Sequence, residues 1–228
     1  MCEPSTRAPR LLHRRVMRIG PTATTLAVFL AALCAWPTHA QPLAMRSPLS
    51  DAERAQLDRG SIVLRRVRER RGPLTLIGGT SFQVVDLPPS AVWRALHDDP
   101  DHIRRMLPQV HSARQLREEA NLRVMHFEHR VGVVRASYAM RFQYDDTQKA
   151  VLFQLDESRP HTIRAGWGFM RVRRWGENQT LLSFGAMVDV GEGLISGLVR
   201  PTLHEWILKI PWTLKQYVEG AGRSRYES

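Results

Sequence analysis

One stretch near the C-terminus limits what the rest of the chain can do. Between residues 199 and 220, Leu203, Trp206, Ile207, Ile210, Leu214 and Tyr217 recur at offsets of three, four and seven, which places them on one face of a helix. Pro201 fits the first turn, where its missing N–H costs nothing, and Gly220 fits the stop. Pro211 lies in the interior and predicts a kink or a one-turn interruption. Almost everything between residues 80 and 190 reads as strands. A sheet that buries one face needs a cover, and this is the only long helix the sequence offers. Sheet and helix are therefore expected to enclose an apolar pocket.

The chain has 228 residues, enough for one sizeable domain with a real core. Residues 1–40 read as an export signal. Arg14, Arg15 and Arg18 precede an apolar run from Ala27 to Trp36, and Thr38-His39-Ala40 offers small residues where a signal peptidase reads, with cleavage before Gln41. Met17 is an alternative start that leaves a signal of ordinary length. Arg14-Arg15 raises a twin-arginine route, although the flanking pattern is poor, and bulky Leu33 argues against a lipid anchor at Cys34. The apolar run falls short of the ~20 residues a membrane span needs, which favours cleavage over anchoring. The expected location is periplasmic or secreted. Cys2 and Cys34 both leave with that segment, so the mature chain has no disulfide, thiol nucleophile or thiolate ligand.

Of the net charge of +11, the first forty residues supply +4, from five Arg and one Glu, which leaves +7. A basic exported protein suits anionic lipid or acidic polysaccharide, and export takes it away from nucleic acid. The densest positive cluster is Arg65, Arg66, Arg68, Arg70 and Arg71. It is a candidate contact with an anionic membrane surface, or else the charge that keeps an edge strand from pairing.

Residues 41–50 are Pro-rich linker. Ser50 and Glu53 form a capping box for a helix over 51–57 that Gly60 ends. Residues 62–70 alternate as a strand with Arg66, Arg68 and Arg70 on one face, and 74–77 form its partner. Gly78-Gly79 is expected to break the pattern. Residues 81–86 are a strand, Pro88-Pro89-Ser90 starts a short helix, and Asp99-Pro100 caps and starts another that Pro108 stops. Six strands follow at 110–116, 122–131, 134–144, 150–155, 162–173 and 180–190, joined by turn-forming residues, so sequential antiparallel hairpins are the natural topology. The expected fold class is α+β, a curved antiparallel sheet wrapped around a long C-terminal helix, with two short helices after the first core strand. The expected divisions are 1–40 signal, 41–78 linker, helix and basic hairpin, 79–222 the domain, and 223–228 a tail.

That order, with Ser81-Phe82-Gln83-Val84-Val85-Asp86-Leu87-Pro88-Pro89-Ser90-Ala91-Val92-Trp93, Asp99-Pro100-Asp101-His102 through Leu107-Pro108, the meander and the closing helix, resembles the START-like, or SRPBCC, superfamily with its helix-grip fold. The similarity covers about residues 79–220 and is nearest to the coenzyme Q-binding and polyketide cyclase/dehydrase-like branch. The N-terminal hairpin departs from the minimal pattern. The resemblance implies a pocket for a lipid, an isoprenoid quinone or a polycyclic compound. It does not specify a reaction.

Pocket candidates at period two are Met125, Phe127, Tyr138, Met140, Phe142, Trp167, Phe169, Phe184 and Ala186, joined from the helix by Leu203, Trp206, Ile207 and Ile210. A slip of one residue would invert any strand's list. Gly166 and Gly168 suggest close approach of another group. Gly191, Gly193 and Gly197 around Leu194-Ile195 suggest a lid. His97, Asp98, Asp99, Asp101 and His102 match no strong ligand spacing, so no metal is expected. His126 and Glu128 share a face as an acid/base pair or as a solvated edge; Tyr138 and Asp189 are isolated polar candidates. No Gly-rich phosphate loop, nucleophile elbow or nucleotide fingerprint is present, and no cofactor is expected. The first reading is a carrier of an apolar or amphipathic small molecule. The alternatives are a cyclase or dehydrase-like enzyme with an ionisable pocket residue, and an interaction module with a filled core.

Overall fold

The computed structural model describes residues 48–131, 134–191 and 200–227. Helix α1 (Asp51–Asp58) opens on the capping box: Ser50 Oγ accepts from Glu53 N at 3.3 Å, and the Glu53 carboxylate accepts from Ser50 N at 2.8 Å. Strands β1 (Val63–Arg71) and β2 (Leu74–Val85) form a hairpin. Helices α2 (Pro89–Leu96) and α3 (Pro100–Met106) follow, the second capped by Asp99, whose carboxylate accepts from Asp101 N and His102 N. Then come β3 (Val110–Glu119), β4 (Leu122–Val131), β5 (Val134–Asp145), β6 (Ala150–Leu155), β7 (Ala165–Arg174) and β8 (Thr180–Asp189). The chain closes with α4 (Arg200–Leu208), α5 (Ile210–Glu219) and α6 (Arg223–Tyr226).

The strands make one antiparallel sheet in the order β1-β2-β8-β7-β6-β5-β4-β3. The class is α+β, as expected. The predicted long helix is interrupted at Lys209, and Pro211 sits in the first turn of α5, where a proline is tolerated. The segment 223–228, read from sequence as a tail, begins with α6, whose Tyr226 is buried in the core.

The expected break at Gly78-Gly79 does not occur. Residues 74–85 run as one strand through both glycines, which take φ of 154° and 132°. A Cβ at Gly78 would lie 1.8 Å from the Ala186 carbonyl oxygen, and one at Gly79 would lie 2.0 Å from that of Arg65. Glycine is needed there because the backbones of β8 and β1 approach too closely for a side chain. The hairpin is consequently part of the same sheet as the later strands.

The concave face carries the main core. Toward α5, Leu214, Tyr217 and Val218 pack on Val85, Trp93, Tyr144 and Leu182. Toward the start of β3, Val110, Met125, Phe127, Met140, Leu155 and Ile163 form a second cluster. On the outer face α1 packs its Leu57 against Val63, Phe82 and Val84.

Candidate functional site

Register decides which side chains meet. Phe127 lies opposite Tyr138, Phe142 opposite Phe153, and Met170 opposite Phe184. These positions share the concave face with Met140, Ala186 and Val188. Helix α4 crosses above them with Leu203, Trp206 and Ile207, and Ile210 follows at the start of α5. Between them lies a cavity of about 230 Å³. The remaining boundary comes from Leu107, Gln109, Val110, His129, Ala136, Ile163, Gly166, Trp167 and Val190.

One polar pair interrupts this apolar wall. His129 Nε2 and the Tyr138 hydroxyl are 2.7 Å apart, and the two rings stack at 5.4 Å between centroids with 15° between planes. Burial lowers the His129 pKa from the ordinary imidazole range, because an imidazolium loses its hydration there. A backbone hydrogen bond with Gln109 works in the opposite direction. Burial alone raises the Tyr138 pKa. Both groups are therefore held neutral near pH 7, and the pair can exchange a hydrogen bond with a polar atom in an otherwise apolar space.

No family profile and no curated protein sequence matches the chain. Solved structures do match. A protein of Thermus thermophilus is 16% identical, with 63% of this chain and 98% of that one covered at a TM-score of 0.55. A STAR-related lipid transfer protein of Xanthomonas axonopodis is 12% identical, with 68% of this chain and 99% of that one covered at a TM-score of 0.52. The chain has the helix-grip fold.

The helix-grip geometry sorts the residues singled out from sequence. Phe127, Tyr138, Met140, Phe142, Phe184, Ala186, Leu203, Trp206, Ile207 and Ile210 line the cavity. Two candidates, Met125 and Phe169, need correction, and Trp167 reaches the cavity only from its border. Met125 is on the right face but is buried beneath it, packed in the cluster with Val110, Phe127 and Met140 rather than at the cavity. Trp167 borders the cavity, yet its register position places the ring on the outer face, packed with Leu76 and Met187, with the Arg71 guanidinium 5.7 Å above it. Phe169 is also on the outer face, over Gly185, where a Cβ would meet its ring at 2.1 Å.

The cause of the last two is a one-residue slip in β7. Gly166, Gly168 and Met170 hold the concave positions. The aromatic expected there arrives from β6 instead: Phe153 covers Gly168, whose Cβ would meet the ring at 2.4 Å. His129 was legible as the next step after Phe127 at period two. Gln109, Phe153, Ile163 and Met170 carried no sequence signal that separates them from core residues.

The other candidates have ordinary partners. His126 bonds Ser137 Oγ at 2.9 Å on the outer face, and Glu128 sits 4.0 Å from Arg130, so the two do not form an acid/base pair with each other. Asp189 accepts from Thr75 N at 2.9 Å and Gly191 N at 2.8 Å. Asp98, Asp99 and His102 do come together. However, Asp98 is engaged by Arg225 at 2.6 Å and by the Tyr226 hydroxyl, Asp99 caps α3, and His102 bonds the Tyr217 hydroxyl.

The arginine cluster splits between faces. Arg65 pairs with Glu53 at 2.6 Å, and Arg71 pairs with Glu69 at 2.9 Å. Arg66, Arg68 and Arg70 are exposed on the opposite side of β1, the side α4 crosses. The export signal at 1–40 and the glycine loop with Gly193, Leu194, Ile195 and Gly197 lie outside the described residues.

Proposed function

We propose that this chain is an exported carrier that holds an apolar or amphipathic small molecule, a lipid, an isoprenoid quinone or a polycyclic compound, between sheet and α4. The observation that carries the reading is the cavity of about 230 Å³, apolar except for the His129–Tyr138 pair and its surroundings. An apolar cavity of about 150 Å³ takes up benzene in a protein interior, so this one has room for a larger hydrocarbon portion. Apolar burial at about 25 cal/mol per Å² holds such a molecule without any covalent step. The STAR-related lipid transfer neighbour lends support at the level of fold.

Export follows from the signal-like residues 1–40. Arg66, Arg68 and Arg70 form a basic strip without ion pairs among the described residues, which suits an anionic membrane face. Native mass spectrometry of the full chain, matured in its own host, tests the carrier reading. A bound small-molecule mass that disappears on denaturation and on Ile207→Trp supports it. An empty wild-type protein that also takes up no added apolar probe overturns it. Flotation with vesicles tests the strip: binding that requires phosphatidylglycerol and is lost in the Arg66, Arg68 and Arg70→Gln triple variant is expected.

A second reading is favoured by one observation. An ionisable pair does face the cavity, as a cyclase or dehydrase-like enzyme would require, with His129 neutral and able to take a proton. Chemical change of the co-purifying compound, lost on His129→Gln, would move the assignment to that class. The interaction module needs a filled core, and the cavity argues against it.

A further inference from the structure

Resting on the carrier reading, we infer that the ligand is an anionic amphiphile: its apolar part fills the cavity, and its carboxylate or phosphate head lies outside, against Arg68 and Arg70 of β1.

The sheet register puts the arginine strip and the cavity on one surface. Arg66 lies opposite Gly79 and Arg68 opposite Ile77 on β2, and these lie opposite Ala186 and Val188 on β8. Side chains directly opposite one another share a face. The strip therefore stands on the concave face, in the same cross-strand rows as two residues of the cavity wall. Only β2 separates β1 from β8, so Arg68 and Val188 are two strand spacings, about 10 Å, apart at the backbone.

The cover over β2 ends between the two. Helix α4 crosses at Gly78, whose carbonyl His204 holds, and Gly79 and Ile77 are buried. Thr75, opposite Arg70 and nearer the end of the sheet, is exposed. Val190 of the cavity wall is half-buried, and its neighbour Asp189 accepts from Thr75 N at 2.9 Å. An uncovered path thus runs from Val190 past Thr75 to Arg70 and Arg68.

Charge supplies the other half of the argument. Alternate residues on a strand are about 7 Å apart, so three like charges stand in a row. The carboxylates at this end are already engaged. Glu69 pairs with Arg71 at 2.9 Å, and Asp189 accepts from the N–H groups of Thr75 and Gly191. Glu205, which α4 brings into electrostatic range of Arg66, pairs with Lys209 at 2.6 Å. Among the described residues, no carboxylate pairs with Arg68 or Arg70. A guanidinium fits the two oxygens of a carboxylate or phosphate with parallel N–H bonds. Charge that only keeps an edge strand from pairing needs no alignment with a cavity.

Titration calorimetry of the full chain with decanol, decanoate and decyltrimethylammonium, each below the concentration at which it forms micelles, tests this without a membrane. Expected is decanoate binding roughly 3- to 10-fold tighter than decanol at low salt, with the cation weakest. Added salt at about 0.5 M should shrink that advantage by screening. In the Arg68→Gln, Arg70→Gln double variant the decanoate-to-decanol ratio should fall to about one, and in the Arg68→Lys, Arg70→Lys variant part of it should survive. A ratio unchanged by the glutamine pair overturns the inference, since a strip with a structural role alone would weaken both probes alike. Ile207→Trp, which fills the cavity, should abolish uptake of decanol and decanoate together. Decanoate retained there would put the anion on the strip with no tail in the cavity, and would overturn the inference. Equal affinities for decanol and decanoate in the unaltered chain also overturn it, leave the carrier reading standing, and assign the strip to membrane phosphates alone. Failure of every probe, decanol included, overturns the carrier reading, and this inference with it.

Discussion

Two helices of similar amphipathic spacing cover the two ends of one sheet, and they do opposite things. Helix α5 seals its end. Leu214 and Val218 are 2% and 0% exposed, packed among Val85, Trp93, Tyr144 and Leu182. Polar ties add to this: Lys215 reaches Asp86 at 3.2 Å and Glu219 at 2.7 Å, and the Tyr217 hydroxyl bonds His102. Helix α4, one residue upstream, stands over Phe127, Tyr138 and Phe153 and leaves a cavity. Its buried tie to the sheet is His204, whose Nε2 bonds the Gly78 carbonyl at 2.5 Å. An apolar stripe thus says that a helix faces inward, and does not say whether the space beneath it is filled. The interruption at Lys209 and Pro211 lets the two halves take different stand-off distances from one sheet.

The largest expected effect follows from that contrast. Leu214→Ala removes a side chain with neighbours on every side and should lower stability by about 3 kcal/mol, whereas Ile207→Ala at the cavity wall should cost about 1 kcal/mol, because fewer contacts are lost. Urea denaturation of both variants measures the difference. Equal losses would mean that the α4 end is as tightly packed in solution as the α5 end, and the comparison would fail.

His204→Ala comes next. It leaves the Gly78 carbonyl without its side-chain partner and should cost about 1–3 kcal/mol. Hydrogen exchange locates the loss: amides of α4 should open faster while those of α5 keep their protection. Equal acceleration along both helices would show them moving as one body and would remove the distinction between a fixed and a standing-off half.

The same contrast marks what is legible in the sequence. The order of elements can be read because each junction has its own chemistry: Ser50 with Glu53, Asp99 with Pro100, and Pro211 at the interruption. The candidates on β4, β5, β8 and α4 come out by periodicity, since each strand alternates around an unambiguous aromatic such as Phe127, Phe142 or Phe184. Strand β7 does not, because Trp167 and Phe169 are the large residues, yet glycines take the inward positions. Period two gives two sets of residues and does not name the inner one. Here a neighbour makes the choice: the Phe153 ring needs the space above Gly168. Gly78-Gly79 misleads for a related reason, since a pair that reads as a turn in isolation is a close approach between strands. Met125 falls on the correct face, but depth within a face depends on what lies above it, and no local pattern encodes that.

The smallest effects are electrostatic, and they separate the two ends by pH. At the cavity end, burial lowers the His129 pKa, with Gln109 opposing in part. The unfolded chain regains an ordinary imidazole near 6.5. Above that value neither state binds the proton and His129 contributes nothing to the slope. Below it the unfolded chain takes up a proton that the folded one resists, so stability falls as pH drops from the ordinary imidazole range toward the lower folded pKa. At the α5 end, burial raises the Asp98 pKa, but Arg225 and the Tyr226 hydroxyl outweigh it and hold the carboxyl below its usual range. That stability is present above the ordinary carboxylate pKa and is lost as pH falls through the depressed one. Thermal melts between pH 3 and 8 should therefore show an upper decline that His129→Gln removes and a lower one that Asp98→Asn reduces, each titrating group adding a slope of at most about 1.4 kcal/mol per pH unit. The lower decline shrinks without vanishing, because Glu53, with its pKa lowered to about 2, and Asp86 titrate alongside Asp98. An upper decline that survives His129→Gln would mean the cavity does not hold its imidazole neutral. The two ends would then differ in packing alone.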